Sequence, residues 1–287
     1  MRRSGYVAEF SARPHSNSDS LSEHPGRKYG QTGGVNTVPS YATLVRADNP
    51  GPMTLEGTNS WVLHGAAGVV VVDPGPDLPG HLDQLMSYGP VVLVLLTHGH
   101  ADHAASAGEL SYRTGASVAA RDPLLCRRSE PLQDEARLEV EGLPILTVLL
   151  SPGHTGDSAC FLVGGEDPAL LTGDSVLGRG SSMVAHPDGR LADYLTSLHR
   201  LAQRCTPSTV LLPGHGPAGG AALEALDRAL AHRADRLDQV RRALAAGAKT
   251  AEQVVEIVYA DVDPALWPAA EATVRAQLSY LADLPST

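Results

Sequence analysis

Four side chains able to bind a metal ion, His98, His100, Asp102 and His103, fall within six consecutive positions of this 287-residue chain. They follow the apolar run 91–96 (Val-Val-Leu-Val-Leu-Leu), with only Thr97 between. A continuous apolar run of that length predicts a strand buried on both faces, and places the polar cluster on the loop at its carboxyl end. Gly99 and Ala101 fill the gaps between ligands, so the loop can fold tightly around an ion. Imidazole combined with carboxylate suits zinc or iron rather than magnesium or calcium.

The same arrangement recurs along the chain. The run 68–72 (Gly-Val-Val-Val-Val) ends at Asp73, and 145–150 ends just before Ser151-Pro152-Gly153-His154. Run 169–172 stops at Gly173-Asp174, and 209–212 at Pro213-Gly214-His215. A glycine precedes His154, Asp174 and His215, which lets the chain turn sharply beside an ion. Loops beyond strand ends converge on one edge of a sheet, so these distant positions are expected to share one site. Further strands are expected at 41–45, 59–63, 117–120 and 160–163, and helices at 81–88, 104–114 and 192–204. Isolated histidines such as His64, His81, His186 and His199 read as ordinary core or surface residues.

Past His215 the period changes. Leu223, Leu226, Leu230, Leu237, Val240 and Leu244 repeat at helical spacing and predict a long amphipathic helix ended by Gly247. Thr250 opens a second helix to about 259, and Asp263-Pro264 a third to about 281. The expected organisation is a tail without regular structure at 1–36, a catalytic domain at 37–216 and a small helical domain at 217–287.

Composition narrows the setting. Hydrophobic residues make up 43% of the chain and aromatics only 4%, so Leu, Val and Ala must fill the core. A net charge of -10 argues against broad adhesion to nucleic acid, double-stranded DNA included, or to anionic membrane. Cys126, Cys160 and Cys205 are odd in number and lack a C-x-x-C spacing, which predicts a reducing, cytoplasmic setting. No apolar run reaches membrane-spanning length, and no apolar core follows Arg2-Arg3 as an export signal requires. Self-association is left open.

The H-x-H-x-D-H motif, followed in order by G-H, G-D and P-G-H-G, resembles the metallo-β-lactamase superfamily. That resemblance implies an α/β fold, an αββα sandwich with a dinuclear site at one edge. It implies His98, His100 and His154 on one ion, Asp102, His103 and His215 on the other, and Asp174 bridging both with a water or hydroxide. Asp73 matches a position that supports the ligands from behind. Two Zn2+ ions are expected, with Fe or Mn able to substitute. Asp102 and Asp174 carry the catalytic role, since two cations beside one water make hydroxide available at neutral pH. No G-x-S-x-G elbow or Cys/His signature points to a covalent route.

His100, where flavin-linked diiron members carry Glu, favours a hydrolase. Asp174 argues against true β-lactam opening, since enzymes with that activity usually lack this carboxylate. Segment 49–59 (Asn-Pro-Gly-Pro-Met-Thr-Leu-Glu-Gly-Thr-Asn), Asp174-Ser175-Val176-Leu177-Gly178 and Ala231-His232-Arg233 resemble one branch, the β-lactamase-like protein 2 family. That branch implies a winged-helix-like C-terminal domain and includes endoribonucleases acting on single-stranded RNA. The chain departs from the pattern at Ala104-Ala105, where small Ser-Gly or Gly-Gly is usual, and leaves little length for a β-wing.

Arg228, Arg233, Arg236, Arg241, Arg242 and Lys249 could grip phosphates. Interleaved Asp227, Asp235 and Asp238 equally suit a solvated face. Arg233 and Arg236, with Asn59 at the mouth, are the candidate substrate contacts. Three functions remain open: a phosphodiesterase on single-stranded RNA, a thioester hydrolase for a glutathione or carrier-bound acyl group, and a mononuclear iron sulfur dioxygenase.

Overall fold

The computed structural model describes residues 7–9 and 37–284. Two sheets lie face to face. One holds β2 (Ala42–Arg46), β3 (Asn59–His64), β4 (Val69–Val72), β5 (Val91–Leu95) and β6 (Ser117–Ala119), in that order. The other has the order β1-β7-β8-β9-β10-β11, from β1 (Val7–Glu9), β7 (Arg137–Glu139), β8 (Leu146–Leu150), β9 (Ala159–Val163), β10 (Ala169–Gly173) and β11 (Val210–Pro213). Helices α1 (Pro79–Met86), α2 (Ala101–Ala104) and α3 (Ala107–Thr114) lie in the first half of the chain. In the second half are α4 (Leu191–Arg204), α5 (Ala222–Ala245), α6 (Ala251–Val258) and α7 (Trp267–Ala282).

The central strands of each sheet, such as β4 and β10, are buried on both faces, which explains the uninterrupted valine and leucine runs. On β4, Val70 and Val72 face the other sheet and meet Leu146, Phe161 and Leu171, while Val69 and Val71 pack against Leu82, Leu85 and Leu110 of α1 and α3. Burying one such valine contributes about 1.5–3 kcal/mol. The outer face of the second sheet, through Leu149, Leu170 and Leu211, packs on Tyr194, Leu198, Leu226 and Leu237 of α4 and α5. The layers are thus helix, sheet, sheet, helix, as expected.

Several elements differ from the sequence reading. The helix expected at 104–114 is split into α2 and α3, with Asp102 and His103 inside the short first piece. Pro264 opens a 3-10 turn (Pro264–Leu266) capped by Asp263, and α7 begins only at Trp267. Strand β7 was not expected, being three residues long with one buried position, Leu138. Val7–Glu9 pair in parallel with it, inside the stretch expected to lack regular structure. The rest of that stretch lies outside the described residues.

The region after His215 is helical, with Thr250 capping α6 as its sequence suggests. It is not a detached lobe. Leu226 and Leu237 of α5 and Ala276 of α7 belong to the core beneath the second sheet, while Val240, Val254, Val258 and Val274 form a smaller core of their own.

His81 on α1 is 6% exposed, with Nε2 2.8 Å from Ser60 Oγ. Burial lowers its pKa to about 4. Its folded value lies below the unfolded one near 6.5, so the unfolded chain takes the proton first as pH falls. The stabilisation is full above about pH 6.5 and is lost progressively toward pH 4. Unfolding titrations across that window should show a steeper loss for the parent chain than for His81→Gln. Parallel curves would refute this assignment.

Candidate metal centre

Strands β4 and β5 run parallel, as do β10 and β11, and β8 points the same way as β10 because β9 is antiparallel to both. Their carboxyl ends therefore release Asp73, the 98–103 loop, His154, Asp174 and His215 at one rim of the sandwich. Backbone bonds close the rim across the two sheets: Ala159 N donates to Thr97 O at 2.8 Å, and Asn59 N to Gly214 O at 2.8 Å.

Three groups each bring one ligand atom per residue within 4.8 Å of the others: His98, His100 and His154; Asp102, His103 and His215; and His98, His103 and Asp174. In the first, His100 Nδ1 lies 2.9 Å from His98 Nε2 and 3.1 Å from His154 Nε2. In the second, His215 Nε2 lies 3.1 Å from both His103 Nε2 and Asp102 Oδ2. Nitrogens tetrahedrally disposed around zinc stand ~3.3 Å apart, given metal–nitrogen bonds near 2.0–2.1 Å. Asp174 spans the groups: Oδ1 is 3.4 Å from His103 Nε2 and from His215 Nε2, and Oδ2 is 3.7 Å from His154 Nε2.

Each buried ring is held by its other nitrogen. His154 Nδ1 donates to Met183 O at 2.7 Å, and His215 Nδ1 to Gly57 O at 3.2 Å. His103 Nδ1 donates to Asp73 Oδ2 at 2.9 Å. Thr97 Oγ1 donates to the same carboxylate at 2.7 Å and accepts from His98 Nδ1 at 3.0 Å. The four Nε2 lone pairs are thereby turned inward, as metal-binding histidines require. Gly214 is needed for closeness: a Cβ there would stand 2.7 Å from Asp174 Oδ1 and 2.8 Å from His103 Cε1.

The electrostatics divide the site. Burial, reinforced by His103, holds His98 well below its ordinary pKa, and burial also lowers His154. Burial opposes the charge on His103 and His215 too. There it is overridden by the Asp174 and Asp73 carboxylates at His103, which is raised well above the usual range, and by Asp102 and Asp174 at His215, raised to about 9. Burial works against Asp102 and Asp174 as anions, yet these histidines keep both well below the carboxylate range.

One atom tests whether these residues fit a metal ion. Asp174 Oδ1 is buried and has no hydrogen-bond partner. An unpartnered buried acceptor costs about 1–3 kcal/mol, more when charged. A cation between Asp174, His103 and His215 removes that cost, so the donor set fits.

The expected substrate contacts are corrected. Asn59 is fully buried, its Nδ2 donating to Pro213 O at 3.1 Å and Gly216 O at 2.9 Å. It braces the His215 loop and does not face a channel. Arg233 is 2% exposed and donates to Ser182 O. Arg236 donates to Gln239 Oε1 at 2.7 Å and Val258 O at 3.1 Å and stacks 4.6 Å from the Tyr259 ring centre. Arg228 and Arg241 pair with Glu224 and Asp238. Arg233 and Arg236 are therefore held within the protein, while Arg228 and Arg241 lie in exposed surface pairs. The sequence reading missed Thr97, Ser182 and the carbonyls of Gly57 and Met183. Only Thr97 carried a signal, as the residue before His98.

Paired sheets with clustered imidazoles and carboxylates at one rim define a metal-dependent hydrolase fold. The family described as the metallo-beta-lactamase superfamily matches residues 53–215, and the chain belongs to it. Residues 250–283 match the beta-lactamase associated winged helix domain. A beta-lactamase-like protein 2 homolog from Caenorhabditis elegans is 28% identical over 83% of this chain and 83% of its own length. An atrochrysone carboxyl ACP thioesterase from Aspergillus novofumigatus is 32% identical over 55% of this chain and 49% of its own. A metallo-beta-lactamase family protein from Thermus thermophilus superposes with a TM-score of 0.72 at 25% identity, covering 85% of this chain and 93% of that one. No helix among the described residues is long and apolar enough to cross a membrane.

Asp73 has a φ of +53°, a region Asn also tolerates. Asp73→Asn should therefore keep the fold while weakening the hold on the His103 ring. Metal affinity should fall about 10–100-fold in chelator competition. Unchanged affinity would show that the carboxylate charge is dispensable.

Proposed function

We propose that the chain is a dinuclear zinc hydrolase of thioesters, acting on a small or carrier-bound acyl group. The observation that carries two ions is the division of Asp174, with Oδ1 toward His103 and His215 and Oδ2 toward His154. His98, His100 and His154 would hold one ion and Asp102, His103 and His215 the other, with Asp174 available to both. When bound, the ions supply water activated at neutral pH and Lewis acidity toward the scissile carbonyl. Asp102, 28% exposed, is the most open of the three site carboxylates and is placed to orient the attacking water and take its proton. Iron or manganese can occupy the same donors. A sulfur dioxygenase reading has no use for a second group of ligands.

The placement of Arg233 and Arg236 supports this substrate class. A polyanion needs free cations at the mouth, and Arg233 and Arg236 are committed to carbonyls inside the protein. The relative named as an acyl carrier thioesterase supports the same choice. Cleavage of single-stranded RNA is the second reading, favoured by the winged-helix match at 250–283.

Metal-quantified protein should contain about two zinc ions per chain. It should hydrolyse acyl-glutathione or acyl-carrier thioesters faster than labelled single-stranded RNA. Asp174→Ala should reduce that activity by more than about 100-fold. Turnover surviving both this change and chelation overturns the metal mechanism, and RNA cleavage alone moves the assignment to the second reading.

A further inference from the structure

Arg233 belongs to α5, beyond the strands that carry the ligands, and yet is buried. Its guanidinium lies 5.1 Å from the Tyr194 ring centre and donates to the carbonyl of Ser182. A buried cation satisfied by a carbonyl and an aromatic face is expensive to keep, so its surroundings matter.

Both of its neighbours reach the metal centre. Ser182 is 5% exposed; its Oγ donates to the backbone carbonyl of Asp174 and stands 3.4 Å from His154 Nδ1. The next residue, Met183, gives the carbonyl that orients His154. Tyr194 OH donates to Ser175 O at 2.8 Å, directly after Asp174. Its backbone presses on Gly153, where a Cβ would stand 2.3 Å from Tyr194 Cα. Arg233 thus clamps the two segments that present His154 and Asp174. His103 and His215, in contrast, are braced by Asp73, Gly57 and Asn59.

We infer that Arg233 is a positioning residue through which the C-terminal helices set metal affinity, acting on His154 of one group and on the shared Asp174, and so more strongly on the His98, His100 and His154 group than on the other. This rests on the two-ion reading above. Loss of a ligand-orienting contact weakens metal binding about 10–100-fold.

The test is equilibrium zinc titration of the metal-stripped full chain under chelator competition, with circular dichroism as the check on folding. Arg233→Gln should weaken the ion on His98, His100 and His154 about 10–100-fold and the other clearly less. Ser182→Ala, a milder cut in the same clamp, should act in the same direction and decides the matter should Arg233→Gln not fold. A parent chain that binds two ions, with neither weakened or both weakened equally in the variants, overturns the clamp. A parent chain that binds only one ion overturns the two-ion reading instead.

Discussion

The carboxylate of Asp73 is the contact on which the rim is organised. It is 2% exposed, sits at the end of β4, and accepts from Thr97 N at 2.8 Å, from Thr97 Oγ1 and from His103 Nδ1. Three donors make a buried anion tolerable where an unpaired one would not be. The same three bonds fix the end of β5, turn His98 through Thr97 and set the plane of His103. The ligand loop is therefore shaped by contacts among protein groups alone.

Around that anchor the protein concentrates buried ionisable groups. His98, His103, His154 and His215 are each at most 5% exposed, facing two carboxylates. Their affinities for protons diverge: the carboxylates raise His103 and His215 against burial, while burial lowers His98 and His154. Such opposed shifts within a few ångströms mark a functional site more than a structural one. The helices of the C-terminal half are packed onto the same sheet through Leu226 and Leu237, which puts them in reach of the ligand segments.

Much of this was legible in sequence because its signals are local. A valine run such as 69–72 announces a strand buried on both faces, and the residue after it announces the rim. Thr250 and Asp263 are caps by residue type, and both accept the expected backbone bond. What escaped depends on partners far along the chain. Arg233 reads as a surface cation because Asp235 and Asp238 flank it; its burial comes from Tyr194 and Ser182, some forty and fifty residues away in sequence. Asn59 reads as a site residue because it borders a turn, whereas its amide serves carbonyls more than 150 residues distant. Strand β7 offers a single buried side chain, too short a pattern for alternation to register.

The donors come from both halves of the sandwich. His98, His100, Asp102 and His103 hang from the sheet that contains β5, and His154, Asp174 and His215 from the one that contains β8, β10 and β11. Each cluster draws on both, so neither half-sandwich can chelate by itself. An ion held at the rim would tie the two layers together there, and its binding would be linked to their docking. Every tenfold excess of free ion over its dissociation constant would add about 1.4 kcal/mol against opening. The rim would then be a clasp as well as a workshop, its chemistry and its grip drawn from the same donors.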